Sequence, residues 1–149
     1  MLKDKLQADL KSALLSGDKE RAEILRTLKG AILNVEIETG ARDSGLTDEA
    51  FVALFAKEAK KRTEAAEMYQ KAGAQDKADR ELREKAIIAE YLPAQADEAE
   101  VMAVIQKHAD AAGGVTQQTM GRVIGATNQE LKGRVDGALV ASLVKKMVS

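Results

Sequence analysis

One proline, Pro93, stands in a chain of 149 residues. Proline cannot donate a backbone hydrogen bond within a helix, and it disfavours helical geometry at the residue before it. Long helices can therefore form on both sides of position 93 but not through it. We predict an all-α protein with a domain boundary at this proline, divided into residues 1–93 and 94–149.

Glycines and capping residues divide each part into shorter segments. Ala, Leu, Glu, Lys and Arg, all good helix formers, are abundant, and apolar residues recur at spacings of three and four. Most of the 11 glycines fall between these periodic segments, where a left-handed turn can end a helix. The glycines so placed are Gly17, Gly40, Gly45, Gly73, Gly113, Gly114, Gly133 and Gly137. The predicted N-caps are Asp18, Thr47, Asp97, Thr116 and Asp136.

Seven helices follow from these signals. The first part is predicted to hold four, at about 2–16, 18–40, 47–73 and 76–91. The second part is predicted to hold three, which begin near 97, 116 and 136. We therefore expect a four-helix N-terminal domain followed by a three-helix C-terminal domain.

Composition excludes several classes of function. Lys and Arg total 23 and Asp and Glu total 24, so the net charge of −1 excludes the broad positive field of a dedicated nonspecific nucleic-acid binder. Without cysteine the chain cannot form a disulfide, a thiolate zinc site or an iron–sulfur cluster, and His108 is its one histidine. We therefore predict no metal, no cofactor and no DNA partner.

The sequence carries no signal for export or membrane insertion. Charged residues interrupt the first ten positions, and no apolar run approaches the roughly 18 residues of a membrane span. A cytoplasmic protein without a membrane partner is expected.

Patterns typical of catalytic sites are also missing from the sequence. No serine lies in a nucleophile-elbow pattern, and no Gly-Lys-Ser or Gly-Lys-Thr run marks a phosphate-binding loop. We predict that the chain has no catalytic centre of its own.

A basic ridge lies on the third predicted helix. Lys57, Lys60 and Lys61 fall within one helical turn of one another. The ridge is either a binding surface or a solvated face balanced by Glu58, Glu64 and Glu67.

A second group of basic residues lies in the segment 116–149, where five cations oppose two carboxylates and give a net charge of +3. The cations are Arg122, Lys132, Arg134, Lys145 and Lys146. Two of them flank Gly133 in a predicted turn, where backbone N–H groups as well as side chains could reach a phosphate. The alternative is a helix connection with exposed charges.

Gly121 and Gly125 are four residues apart, so they stack on one side of the sixth predicted helix and leave a groove. Each glycine in a helix interior costs up to about 1 kcal/mol relative to alanine. Either close packing of another helix or close approach of a ligand can compensate for this cost.

Several motifs in order resemble the YqeY-like family, whose tail is shared with the B subunit of the tRNA-dependent amidotransferase. In the second part they are Tyr91-Leu92-Pro93-Ala94-Gln95, Met120-Gly121-Arg122-Val123-Ile124-Gly125 and Lys132-Gly133-Arg134-Val135-Asp136-Gly137. In the first part they include Leu25-Arg26-Thr27-Leu28-Lys29, Asn34-Val35-Glu36-Ile37 and Lys57-Glu58-Ala59-Lys60-Lys61-Arg62. One departure is Ala96, where the family more often has leucine.

The resemblance implies an all-helical protein whose tail contacts tRNA, as the related tail does in the amidotransferase and in some glutaminyl-tRNA synthetases. It implies amide-transfer chemistry only in domains and subunits that this chain lacks. A tRNA-binding accessory protein is therefore the leading hypothesis, with phosphate contacts from the basic residues of the tail.

Two alternatives stay open at this point. The first is a protein-interaction module that docks on an aminoacyl-tRNA synthetase or an amidotransferase subunit through the acidic fifth helix or the basic ridge. The second is a subunit of a carbon–nitrogen ligase that uses glutamine as amide donor.

Overall fold

The computed structural model describes residues 1–148, which form seven helices and no strand. The helices are α1 (Leu2–Ser16), α2 (Lys19–Thr39), α3 (Asp48–Lys71), α4 (Gln75–Ala89), α5 (Glu98–Ala111), α6 (Met120–Glu130) and α7 (Gly137–Met147). The prediction of an all-α fold is confirmed.

The helices group into two compact units. Unit 1 comprises Met1–Leu92 and holds α1 to α4, and unit 2 begins at Pro93 and holds α5 to α7. That each unit is a separate domain, with limits 1–93 and 94–149, stays a prediction.

Side chains cap four helices at the predicted positions. Asp18, Thr47, Asp97 and Asp136 each accept a hydrogen bond from a backbone N–H group of the following helix, at distances from 2.8 to 3.2 Å. These bonds satisfy N–H groups that have no partner within the helix. Local sequence therefore determines where α2, α3, α5 and α7 begin.

The start of α6 differs from its prediction. Thr116 Oγ1 accepts a hydrogen bond from the Thr119 N–H group at 3.2 Å, as an N-cap would. Residues 117–119 nevertheless form a turn, and the helix begins only at Met120. Helix α7 begins at Gly137, directly after its predicted N-cap Asp136, so this glycine starts a helix and does not end one.

The core of unit 1 contains side chains from all four of its helices. The Phe51 and Phe55 rings stack with their centroids 4.0 Å apart, and the Phe55 centroid lies 5.5 Å from that of Tyr91. The Tyr91 hydroxyl donates a hydrogen bond to Asp9 in α1. Burial and this hydrogen bond raise the pKa of Tyr91 above its usual range.

The core of unit 2 is aliphatic. Val101, Ile105, Val140 and Val144 are fully buried between α5, α6 and α7. Thr127 in α6 is also fully buried, and its hydroxyl has no hydrogen-bond partner among residues 1–148. A buried hydroxyl without a partner costs about 1–3 kcal/mol relative to one that is hydrogen-bonded.

A buried carboxylate joins three parts of unit 1. Glu36 in α2 is only 2% exposed. Its Oε2 atom accepts hydrogen bonds from Lys3 Nζ at 2.7 Å and from the Leu46 N–H group at 2.8 Å. Both α1 and the loop before α3 are thereby attached to α2. The Lys3 hydrogen bond lowers the pKa of Glu36 against the opposing effect of burial.

We expect Glu36→Gln to lower the free energy of unfolding by about 1–3 kcal/mol, because the amide loses its ion pair with Lys3. The lowered pKa gives this effect a defined pH dependence. The carboxylate stabilises the protein fully above the pKa of the unfolded chain, and this stabilisation is lost as the pH falls through the folded-state pKa. Chemical denaturation between about pH 3 and pH 7 measures both effects.

Glu38 provides the matched control, because it is exposed and makes no hydrogen bond or ion pair with residues 1–148. We expect Glu38→Gln to leave stability almost unchanged. If Glu36→Gln were as stable as Glu38→Gln and showed the same pH dependence as the unmodified protein, the stabilising role of the Glu36 carboxylate would be contradicted.

Candidate nucleic-acid interface

Gly121 and Gly125 lie on a solvent-exposed part of α6. A Cβ atom added at either position would meet no atom of the described chain within 4 Å. Close packing of another helix of this chain is therefore the wrong explanation for these glycines. The surface formed by Gly121, Arg122 and Gly125 is called the open face of α6 below.

The open face carries a cation without an internal partner. Arg122 is exposed and makes no hydrogen bond or ion pair with residues 1–148. Its guanidinium, which has five N–H donors in a planar fork, is available to an external anion. Gly121 and Gly125, about one helical turn apart, have no side chain of their own to cover the backbone beside it.

Lys145 and Lys146 lie in the last turn of α7, and both are exposed. They border a shallow groove whose other lining residues are Ala138, Ala141 and Ser142. Cations in this position also interact favourably with the helix dipole. The geometry is therefore consistent with a structural role, with anion binding, or with both.

The turn after α6 carries the other predicted phosphate contacts. Gly133 has a φ angle of +78°, which favours glycine, and the Arg134 N–H group donates to the Leu131 carbonyl at 2.8 Å. Lys132 is exposed in this turn. The predicted turn around Gly133 is confirmed, and the name "α6–α7 turn" is used for residues 131–136.

Arg134 is already engaged within unit 2. Its Nε atom donates to the Ala94 carbonyl at 2.8 Å. Its Nη2 atom lies 2.8 Å and 2.9 Å from the two carboxylate oxygens of Glu100 in α5. A phosphate contact by this guanidinium was predicted from the sequence, but this side chain differs from Arg122 in having internal partners.

Two further hydrogen bonds join the segment Ala94–Ala96 to the same turn. The Gln95 side-chain amide donates to the Gly133 carbonyl at 3.0 Å, and the Ala96 N–H group donates to the Arg134 carbonyl at 2.8 Å. These two bonds and the two contacts of the Arg134 side chain are called the clamp. Glu100 and Gln95 are not recognisable from the sequence as partners of this turn, because contacts across 34 to 40 residues leave no periodic signal.

The basic ridge on α3 is partly neutralised. Lys57 and Lys60 are exposed without a partner among residues 1–148, whereas Lys61 Nζ lies 3.3 Å from Glu58. Glu58 also accepts a hydrogen bond from Arg62. The ridge therefore resembles the solvated face that was one of its two predicted interpretations.

His108 contacts a carboxylate on the neighbouring helix. Its Nε2 atom lies 3.2 Å from Glu130 Oε1, to which Lys107 donates at 2.6 Å. The Lys107 hydrogen bond is the main cause of the lowered pKa of Glu130, and His108 contributes less. This arrangement is an ion-pair cluster that connects α5 with α6.

Residues 1–148 contain no group of three or more His, Asp or Glu side chains placed to hold a metal ion. None of their helices combines the length and apolar character needed to cross a membrane.

Comparison with known proteins places the chain in a family. No curated protein sequence matches it. The model of the Yqey-like proteins matches residues 3–148, which is nearly the whole chain. The resemblance noted in the sequence is therefore confirmed, and the chain belongs to the YqeY-like family.

Proposed function

We propose that this protein is a tRNA-binding accessory protein that contacts the RNA backbone through unit 2 and has no catalytic centre of its own. The observation that carries the proposal is the open face of α6, where Arg122 has no partner among residues 1–148 and two glycines leave the backbone accessible. A guanidinium beside a surface without bulky side chains suits a phosphate that approaches the helix closely.

Charge supports the same part of the chain. Segment 116–149 has a net charge of +3 in a protein whose total charge is −1. Backbone contacts by a few cations give an affinity that falls as salt rises. We therefore expect moderate, salt-sensitive binding and not the tight binding of a strongly basic protein.

Unit 2 suits recognition of RNA shape more than recognition of unpaired bases. No Phe, Tyr or Trp occurs from Pro93 onward, and the imidazole of His108 contacts Glu130, so the sequence offers unit 2 no platform of Phe, Tyr or Trp rings on which bases could stack. Folded RNA is instead recognised through phosphates and 2′-hydroxyl groups. A structured tRNA is the ligand we propose, with Lys145 and Lys146 as further phosphate contacts.

The proposed partner follows from the family, whose tail is shared with the amidotransferase B subunit. A synthetase or an amidotransferase subunit is the alternative partner, and a share in amide transfer would then belong to the assembled complex. Lys57 and Lys60 of the ridge are exposed and have no partner among residues 1–148, so they are available to contact a protein partner through unit 1.

Titration of labelled total tRNA by fluorescence anisotropy, at low and physiological salt, tests the proposal. We expect Arg122→Gln to weaken binding and to reduce the slope of log affinity against log salt by about 0.7–1, the value for one phosphate contact. An Arg122/Lys132/Arg134 to Gln triple variant should lose most of the affinity.

Lys60→Gln is the matched control, because it removes from unit 1 an exposed cation that has no partner in the described part of the chain. Affinity unchanged in the Arg122 variant, or lowered equally by both single variants, would refute the proposed site. No binding of tRNA at low salt would favour the protein partner instead.

The glycines allow a test in which stability and binding move in opposite directions. We expect Gly121→Ala and Gly125→Ala each to raise the free energy of unfolding by up to about 1 kcal/mol, because alanine favours helix and nothing obstructs its methyl group. If RNA approaches this face, the same substitutions together should weaken tRNA binding.

Gly30→Ala is the control for this experiment. Gly30 is also exposed inside a helix with no atom within 4 Å of an added Cβ, but it lies in α2 of unit 1. We expect this variant to be stabilised and to bind tRNA like the unmodified protein. Unchanged tRNA affinity in the Gly121/Gly125 variant would show that RNA does not bind at the open face of α6.

We also propose that the two compact units are domains that fold independently. The support is that each unit has its own buried cluster of apolar side chains. Separately expressed fragments 1–92 and 93–149 should each give the amide chemical shifts of the full chain, apart from residues near the cut. A fragment that is unfolded on its own would contradict this division.

A further inference from the structure

The clamp brings together two sequence motifs that are far apart in the chain. Ala94 and Gln95 belong to the motif around Pro93, whereas Gly133 and Arg134 belong to the motif before α7. Backbone and side-chain groups of both segments take part, with donor–acceptor distances of 2.8 to 3.0 Å. Each segment is therefore held by the other.

The contacts of Arg134 occupy the Nε and Nη2 atoms of its guanidinium. The Nε atom donates to the Ala94 carbonyl, and Nη2 contacts both oxygens of Glu100. Charge-assisted bonds of this kind are stronger and more directional than neutral ones. A phosphate that took the same N–H groups would have to displace a carboxylate and a carbonyl.

We propose that Arg134 is a positioning residue: through Glu100 and Ala94 it holds the α6–α7 turn in the conformation that binds RNA, and it does not itself contact a phosphate. This inference rests on the proposed function. It gives Arg134 a different role from Arg122, although the sequence alone predicted both to be phosphate contacts.

The direction in which Glu100→Ala changes tRNA affinity distinguishes a phosphate-binding Arg134 from a positioning Arg134. If Arg134 bound phosphate, Glu100→Ala would free its guanidinium and remove a negative charge, and tRNA affinity would rise. If Arg134 positions the turn, the same substitution disrupts the clamp, and affinity should fall by about three- to tenfold, as expected for loss of one hydrogen-bonded contact between partly exposed groups.

Glu98→Ala is the matched control, because Glu98 is exposed in the same first turn of α5 and has no partner among residues 1–148. It makes the same change in charge without touching the clamp, so its effect measures the electrostatic contribution alone. We expect it to leave tRNA affinity unchanged or slightly raised.

Salt dependence provides a second readout. Arg134→Gln should weaken tRNA binding but leave the slope of log affinity against log salt as it is in the unmodified protein. Arg122→Gln should reduce this slope by about 0.7–1, the value for one phosphate contact. A slope reduced equally in both variants, or an affinity raised by Glu100→Ala, would overturn the proposal.

Hydrogen exchange in the full-length protein tests the clamp without RNA. In Arg134→Gln and Glu100→Ala, the Ala96 amide, which donates to the Arg134 carbonyl, should exchange at least tenfold faster, while amides in the middle of α5 keep their protection. Unchanged exchange at Ala96 would refute the clamp. Faster exchange in a protein that binds no tRNA would refute only the proposed function.

Discussion

The need to satisfy the ends of the seven helices in residues 1–148 governs this structure. Each helix leaves N–H groups at its start and carbonyl groups at its end without partners. In this chain the side chains of Asp18, Thr47, Asp97 and Asp136 meet the first need, and glycines with positive φ, such as Gly17 and Gly40, meet the second. Once the helix ends are fixed, the helix limits determine which apolar residues of each unit can face its core.

This dependence on helix ends explains what could be predicted from the sequence. Caps and terminal glycines act within four residues, so the bounds of most helices and the turn at Gly133 are readable locally. Contacts between distant residues are not readable in this way. Nothing near Glu36 indicates that its carboxylate accepts a hydrogen bond from Leu46, and nothing near Arg134 indicates Glu100 as its partner.

The candidate site shows the same division. Periodicity placed Gly121 and Gly125 on one side of a helix, but only the structure shows that this side faces solvent. Counting charges grouped Arg122 with Arg134, although within the described residues the Arg122 guanidinium has no partner and the Arg134 guanidinium has two. A basic residue in a sequence therefore indicates charge, whereas its availability to a ligand depends on tertiary contacts.

The clamp also has a consequence for the order in which unit 2 folds. The Arg134–Ala94 hydrogen bond spans 40 residues, and α5 and α6 lie entirely inside the loop that it closes. Closing a loop of this length in a disordered chain carries a large entropic cost, which falls once the enclosed helices are formed and packed. The clamp is therefore expected to close after the α5–α6 pair has docked, so that the conformation of the α6–α7 turn becomes fixed late in folding.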